Sequence, residues 1–222
     1  FVLTDLEAIA EKMEDTLSTP KELVPKLAKA GLLSLTFPKR LGGYELTPTQ
    51  FFPILEEVAG TAGAIRLIVH TWDGIYSRQV LEYGSEAQIQ KYMVPMARGE
   101  KCVAWSLTEP NAGTGIDIKT TAVKKGKNYI LNGRKHLVSL AGIADTFTVF
   151  AYTNKELKGK GISAFLVEKG FPGFIMEKMS ESMGLRGSIH GDFTFKDCVV
   201  PAANLIGKEG SGLDSALELL DL

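Results

Sequence analysis

The first hundred residues repeat apolar positions at the spacing of amphipathic α-helices. A first helix is predicted to begin after Thr4 or Asp5, either of which suits the N-cap. Its apolar stripe consists of Leu6, Ile9, Met13 and Leu17. A second helix is predicted between Pro20 and Gly31, because proline favours the first turn of a helix and glycine the residue after its end.

Three further helices are predicted before residue 100. The first follows Pro48, and its apolar face is expected to consist of Phe52, Leu55 and Val58. Residues 64–84 are apolar almost all round, which predicts a buried helix. Ser85 suits the N-cap of the last helix, with Gln88 in the reciprocal position of a capping box.

After residue 101 the chain changes to short runs of β-prone residues separated by turn residues. Lys125-Gly126 and Asn132-Gly133 are predicted to be turns of a meander, since Asn-Gly is the strongest short hairpin signal. The other strands are predicted within residues 102–108, 146–153, 162–169, 174–179 and 191–200. Helical spacing returns at residues 210–222.

These patterns predict a multidomain protein with both α and β parts. An all-α N-terminal domain is expected over residues 1–100 and an antiparallel β-barrel or β-sandwich over residues 101–207. Residues 208–222 are expected to begin a further helical domain.

The composition excludes several classes of protein. Of the 222 residues, 45% are hydrophobic and 23% charged, so a large core can be buried and disorder is not expected. The 25 basic and 26 acidic residues form no basic stripe, so no nucleic-acid partner is expected. No apolar run approaches the ~20 residues that span a bilayer, and the first residues do not resemble a signal peptide. A cytoplasmic protein is expected, or one of the mitochondrial matrix in a eukaryote.

The cysteines and histidines carry no recognisable site pattern. Cys102 and Cys198 are far apart and outside any CxxC motif, so two buried thiols are expected rather than a disulfide or a redox pair. His70, His136 and His190 are scattered, and no metal site is predicted.

Four segments are candidates for a functional site. Residues 105–115, WSLTEPNAGTG, end a strand and form a glycine-rich loop whose backbone N–H groups suit a flat ring or a phosphate. A plain glycine-rich turn is the alternative interpretation. Residues 132–142 carry a hydroxyl, Ser139, near the end of a strand, and residues 183–207 place Arg186 between glycines. The glycines at 207, 210 and 212 do not follow the GxGxxG order, so a turn is predicted there.

Taken in order, these segments resemble the acyl-CoA dehydrogenase family. TEPNAG is followed by NGRKHLVS, GLRGS and F-x-D-x-x-VP-x-x-N-x-x-G, while FPKRLGG and YGSEAQ are similar to family motifs of the first domain. The resemblance extends from about residue 5 to the end of the chain. It implies FAD as cofactor, an acyl-CoA thioester as substrate, and α,β-dehydrogenation within fatty acid metabolism. It also implies an electron-transfer flavoprotein as electron acceptor and a homotetramer for the whole protein.

The resemblance also implies which residues form the site. In the family's pattern, a first group contacts the flavin from the strand before the TEPNAG loop and a second from the strand after NGRKH. Matched to this sequence, they are Trp105, Leu107 and Thr108, and Leu137, Val138 and Ser139. Thr114 matches a position that contacts the CoA moiety. No catalytic residue is assigned, because the family's catalytic Glu lies in a C-terminal helical domain of which only the start is expected here. Glu218 is interpreted as a solvated helix carboxylate.

The chain departs from the family pattern at three places. Leu137 replaces the usual Trp, Leu140-Ala141 the usual Asn-Gly, and Gly115 the usual Asp. Two alternative functions therefore remain: a flavin-dependent oxidase or monooxygenase of the same fold, and a non-catalytic subunit that pairs with a second chain.

Overall fold

The computed structural model describes residues 2–113, 117–180 and 182–221. Helices occupy the first part of the chain. They are α1 to α7, with bounds Glu7–Thr16, Leu23–Lys29, Pro48–Ala59, Gly63–Thr71, Ser77–Tyr83, Glu86–Gln88 and Val94–Ala97. π-helical turns extend or join them at Val2–Leu6, Trp72–Tyr76 and Ile89–Met93. No helix in the described part of the chain is both long and apolar enough to cross a membrane.

Two details of the helix predictions are wrong. Helical structure begins at Val2, so neither Thr4 nor Asp5 caps α1, whose N-cap position is Leu6. In α3 the buried face is Phe51, Leu55 and Val58, whereas Phe52 is 56% exposed. Positions 52 and 55 are compatible with helical spacing, but position 51 lies closer to the direction that points into the core. The capping box of Ser85 and Gln88 is confirmed.

The predicted buried helix over residues 64–84 is present but kinked. Its π-helical turn contains Gly74, whose backbone is not helical (φ −99°, ψ −127°). Asp73, beside the kink, is fully buried, and its Oδ1 accepts a hydrogen bond from the Thr36 N–H at 2.9 Å. Its Oδ2 has no hydrogen-bond partner within the described residues. Burial therefore raises the pKa of Asp73 to about 7, although hydrogen bonds from Thr36 oppose the shift.

We expect Asp73 to make stability depend on pH. Its pKa is raised above that of an unfolded aspartate, so its contribution is greatest below about pH 4 and is lost as pH rises to about 7. Asp73→Asn should remove this dependence. The free energy of unfolding of the variant, minus that of the wild type, should rise by about 2–3 kcal/mol between pH 5 and pH 8.

Urea denaturation across that pH range measures the difference. Asp214→Asn removes a charge from an exposed position of the last helix and is the matched control. A difference between Asp73→Asn and wild type that stays constant with pH would show that Asp73 is ionised throughout in the folded protein.

A mixed β-sheet follows the helices. Its strands β1 to β8 are Val103–Ser106, Thr121–Lys125, Asn128–Val138, Thr146–Tyr152, Ile162–Glu168, Phe174–Ser180, His190–Pro201 and Leu205–Ile206. The order is β6-β7-β3-β2-β4-β5-β8, with β1 also paired to β4. A last helix, α8, spans Gly212–Leu220.

The prediction of an antiparallel barrel or sandwich is wrong in two respects. Strand β1 runs parallel to β4, with Val103 opposite Thr146, and β2 meets β4 in parallel at Thr121 and Tyr152. The long connection between β1 and β4 lets the chain return in the same direction, which a short hairpin cannot do. Among the described residues the edge strands β6 and β8 do not pair with each other, so the sheet is open.

Asn132-Gly133 is not a turn, contrary to prediction. The β2–β3 hairpin turns at Gly126 (φ 58°), and β3 continues through Asn132, which lies opposite Thr121. A Cβ at Gly133 would lie 2.6 Å from the Cα of Thr120, so the backbones approach too closely for any side chain. The pair therefore marks a close contact within a strand, which the local sequence cannot distinguish from a hairpin.

Side-chain amides join the helices to the sheet. The Gln88 Nε2 donates to the carbonyl oxygens of Ala203 and Leu205 at 2.8 and 2.9 Å. The Asn204 Nδ2 donates to the Leu166 carbonyl of β5 at 2.6 Å and to the hydroxyl of Tyr92, in the helical part, at 3.2 Å. Cys102 and Cys198 are free and buried, which confirms the prediction of two buried thiols.

Candidate functional site

The end of β1 presents the first group of predicted flavin contacts. Trp105 is partly buried and meets the Phe150 ring edge-on, with centroids 5.2 Å apart. Its Nε1 is buried and has no hydrogen-bond partner in the described part of the chain. Leu107 is buried, so it offers backbone atoms rather than its side chain, whereas Thr108 is partly exposed.

A buried ion pair supports this strand end from behind. The Lys135 side chain is fully buried, and its Nζ donates to Glu109 Oε1 at 2.9 Å and to the Leu107 carbonyl at 3.1 Å. Glu109 also accepts hydrogen bonds from the Lys119 N–H at 2.7 Å and from the Thr120 N–H at 3.1 Å. The carboxylate therefore fixes the start of the TEPNAG loop to the strand that follows it.

Each member of this pair stabilises the charged form of the other. Burial lowers the pKa of Lys135 to about 8, and the Glu109 carboxylate opposes that shift. Burial alone would raise the pKa of Glu109, but the Lys135 ammonium and the Thr120 hydroxyl hold it below its usual range.

The end of β3 presents the second group. Leu137 has a left-handed backbone (φ 50°) and is 50% exposed, whereas Val138 is buried. Ser139 is partly exposed, and the next residue, Leu140, is again left-handed (φ 61°). Left-handed residues other than glycine are costly and cluster at functional sites.

The two groups meet in space. The His136 N–H donates to the Thr108 carbonyl at 3.0 Å, and Lys135 holds the Leu107 carbonyl. From the helical side, the Tyr76 hydroxyl reaches the Ser139 carbonyl at 3.5 Å. The surface formed by Trp105, Leu107, Thr108, Leu137, Val138 and Ser139 therefore lies where the kinked helix contacts the sheet. It is called the junction surface below.

The other candidate segments contribute little to the junction surface. Thr114 lies outside the described residues. Arg186 forms an ion pair with Glu14 at 2.6 Å. Gly207 and Gly210 have positive φ and form a turn before α8. Glu218 lies on the exposed face of α8 and accepts a hydrogen bond from the Tyr83 hydroxyl at 2.6 Å. No cluster of His, Cys, Asp or Glu among the described residues could hold a metal ion.

Glu109, Lys135 and Asp192 were not singled out by the sequence analysis. A signal for Lys135 exists, because it continues the inward-facing alternation of Tyr129 and Leu131 along β3. A charged residue at a core position needs a buried partner. The partner itself, Glu109, carries no comparable pattern.

Two family models match the chain. The acyl-CoA dehydrogenase N-terminal domain matches residues 1–100, and the acyl-CoA dehydrogenase middle domain matches residues 104–198. The chain belongs to the acyl-CoA dehydrogenase family. The resemblance seen in the sequence and the helical-then-β architecture are thereby confirmed.

Relatives and solved structures extend this acyl-CoA dehydrogenase match. The chain is 38% identical over 222 residues to a short-chain specific acyl-CoA dehydrogenase of Clostridium acetobutylicum, covering 100% of this chain and 59% of that protein. An acyl-CoA dehydrogenase structure from Geobacillus kaustophilus has a TM-score of 0.92 at 30% identity, covering 99% of this chain and 58% of the other. One from Bacillus anthracis, complexed with FAD, has a TM-score of 0.84 at 30% identity, covering 99% and 37%. The chain thus spans about three-fifths of the length of the curated relative.

Proposed function

We propose that this chain forms the flavin-holding part of an enzyme that catalyses FAD-dependent α,β-dehydrogenation of an acyl-CoA thioester. The observation that carries the proposal is the junction surface, where the end of β1 and the left-handed bend of β3 meet. Family membership and the FAD complex of the Bacillus anthracis protein support it.

The residues of the junction surface fit a flavin. The hydroxyls of Thr108 and Ser139 are on partly exposed residues and make no hydrogen bond within the described part of the chain, so they are available to polar atoms of the ring. The Leu137 side chain is half exposed and offers an apolar contact, while Leu107 and Val138 offer backbone groups. Neutral hydroxyls beside apolar surface suit an uncharged, flat ring system.

Bound FAD would supply the acceptor for the hydride that leaves the substrate's β-carbon. The residues of this chain would hold the flavin in position. Trp105, Leu107 and Thr108 at the end of β1, and Leu137, Val138 and Ser139 at the end of β3, would hold the flavin. The Lys135–Glu109 pair keeps the Leu107 carbonyl and the TEPNAG loop in place. None of the described residues is assigned as the base that removes the proton from the substrate's α-carbon.

The remaining parts of the proposal rest on the sequence resemblance. Thr114 contacts the CoA moiety. The domains are residues 1–100, 101–207 and 208–222. The intact protein is a homotetramer. It lies in the cytoplasm, or in the mitochondrial matrix in a eukaryote. It passes its electrons to an electron-transfer flavoprotein.

An anaerobic visible spectrum of the intact natural protein tests this function. We expect an oxidised flavin band that one of a panel of acyl-CoA thioesters bleaches, because the substrate's hydride reduces the flavin. Free CoA, which has no acyl group, is the control and should leave the band unchanged.

The other outcomes identify the alternatives. A flavin that no thioester reduces, but that consumes oxygen rapidly once reduced, would indicate an oxidase or monooxygenase. Intact protein without a flavin band would exclude the enzymatic proposal and favour a non-catalytic subunit.

A further inference from the structure

A β-bulge lies directly at the second group of junction-surface residues. In the β3–β7 pairing Lys135 is opposite Phe193 and Val138 is opposite Gly191. Two residues of β3, His136 and Leu137, therefore face one residue of β7, Asp192. Bulges re-aim side chains and are frequent beside active sites. This bulge makes Leu137 point outwards while Val138 stays in the core.

The Asp192 side chain replaces the backbone partner that the bulge removes. Its Oδ1 accepts the Leu137 N–H at 3.0 Å. The His136 Nδ1 lies 2.8 and 2.9 Å from its two carboxylate oxygens, and the Arg134 Nη2 donates to Oδ2 at 3.4 Å. Arg134 also pairs with Glu177 of β6 at 3.0 Å. Asp192 is only 4% exposed, so few of these bonds can be exchanged for water.

Hydrogen bonding keeps Asp192 in the form that accepts these bonds. Burial alone would raise the pKa of its carboxyl, but the Leu137 N–H, His136 and Arg134 hold that pKa below its usual range. A protonated carboxyl would lose one of its acceptor sites.

The same two strands contain a second bulge of the same construction. Between Leu131–Cys198 and Gly133–Phe195, two residues of β7 face Asn132. Asp197 there is left-handed (φ 48°), and its N–H donates to Asn132 Oδ1 at 2.9 Å. In each bulge one strand contributes a single residue, Asp192 in the first and Asn132 in the second. A side-chain oxygen of that residue accepts a hydrogen bond from the backbone N–H of the left-handed residue opposite. The Asn132 bulge lies five residues before Leu137, or about 17 Å along the strand.

We propose that Asp192 is a positioning residue for the flavin, which holds Leu137 in its left-handed conformation and so keeps the end of β3 in the register that forms the junction surface. The inference rests on the proposed function. Without the bulge, the alternation of inward-facing and outward-facing side chains along β3 would shift by one residue. Leu137 would then turn inwards and Val138 outwards. Asp192 acts through its hydrogen bond to Leu137 and does not itself need to contact FAD.

Flavin affinity of the intact protein tests this role. FAD is titrated into the apoprotein, and flavin fluorescence gives the dissociation constant. Asp192→Ala should weaken FAD binding by about tenfold, because the strained bend loses its hydrogen bond. Asp192→Asn keeps an acceptor oxygen for the Leu137 N–H and should stay within about threefold of wild type. Asn132→Ala removes the same device at the other bulge and should leave FAD affinity unchanged while lowering the melting temperature.

Hydrogen exchange of the Leu137 amide gives a readout that does not depend on flavin. Protection should fall in Asp192→Ala and persist in Asp192→Asn and Asn132→Ala. Equal FAD affinity in Asp192→Ala and wild type would overturn the inference and leave the proposed function standing. Equal losses in Asp192→Ala and Asn132→Ala would also overturn it, by showing a general effect of stability. Intact wild-type protein that binds no FAD would overturn the proposed function and this inference together.

Discussion

Replacing Lys135 by methionine is expected to lower the free energy of unfolding by about 3–5 kcal/mol. Methionine is unbranched and similar in shape to lysine, although it lacks the terminal nitrogen, and it leaves Glu109 as a buried carboxylate without its cation. The backbone N–H groups of Lys119 and Thr120 would remain as hydrogen-bond donors, so the loss comes from the missing charge and the unpaired Leu107 carbonyl. Chemical denaturation measures the change.

The double variant Lys135→Met with Glu109→Gln separates charge from packing. Removing both charges should restore most of the lost stability, because a neutral amide costs less to bury than an unpaired carboxylate. Lys12→Met removes one member of the exposed Lys12–Glu22 pair and should cause no measurable change. A Lys135 variant as stable as wild type would mean that Glu109 is protonated or reaches water in the folded protein.

Phe147→Ala is expected to cost about 3–5 kcal/mol. Phe147 is fully buried in β4, and its ring lies 5.4 Å from that of Phe174 and 4.7 Å from that of Phe193. Because β4 pairs with β1, β2 and β5, the sheet can relax little around the cavity. Urea denaturation should show an earlier midpoint with an unchanged slope, since the surface exposed on unfolding hardly changes.

The control for this prediction is Phe52→Ala. It removes the same side chain from α3, where Phe52 is 56% exposed, and should cost far less. Equal losses from the two substitutions would contradict the assignment of Phe147 to the central core.

Much of the architecture could be predicted because the spacing of apolar residues along the chain follows which side chains are buried. The fully buried β4 and the capping box at Ser85 produced local patterns that needed no knowledge of distant residues. The segments of the junction surface were also found from sequence, since the order of their motifs resembles the family's. How they combine to hold a cofactor stays a proposal.

The errors at the start of α1 and on the face of α3 are local, but the larger failures concern contacts between residues far apart in sequence. Asn132-Gly133 has the composition of a turn, and only the approach of Thr120 and the amide of Asp197 show that it lies within a strand. The parallel pairing of β1 with β4 leaves no trace in the alternation of either strand. In the sequence, Asp192 is one polar residue within a predicted strand. Only the bulge in the structure shows that it lies opposite Leu137.

The contact between Gly133 and Thr120 also constrains how this gene can change. Any missense mutation of codon 133 adds at least a Cβ, which the neighbouring Thr120 backbone leaves no room for. The adjacent codon 132 is more permissive, because the Asn132 side chain is exposed and has room for replacement. A replacement there loses one or both of the hydrogen bonds that the Asn132 amide makes with Asp197 but meets no backbone. Two neighbouring residues of one strand therefore differ sharply in the amino-acid substitutions that their codons can tolerate.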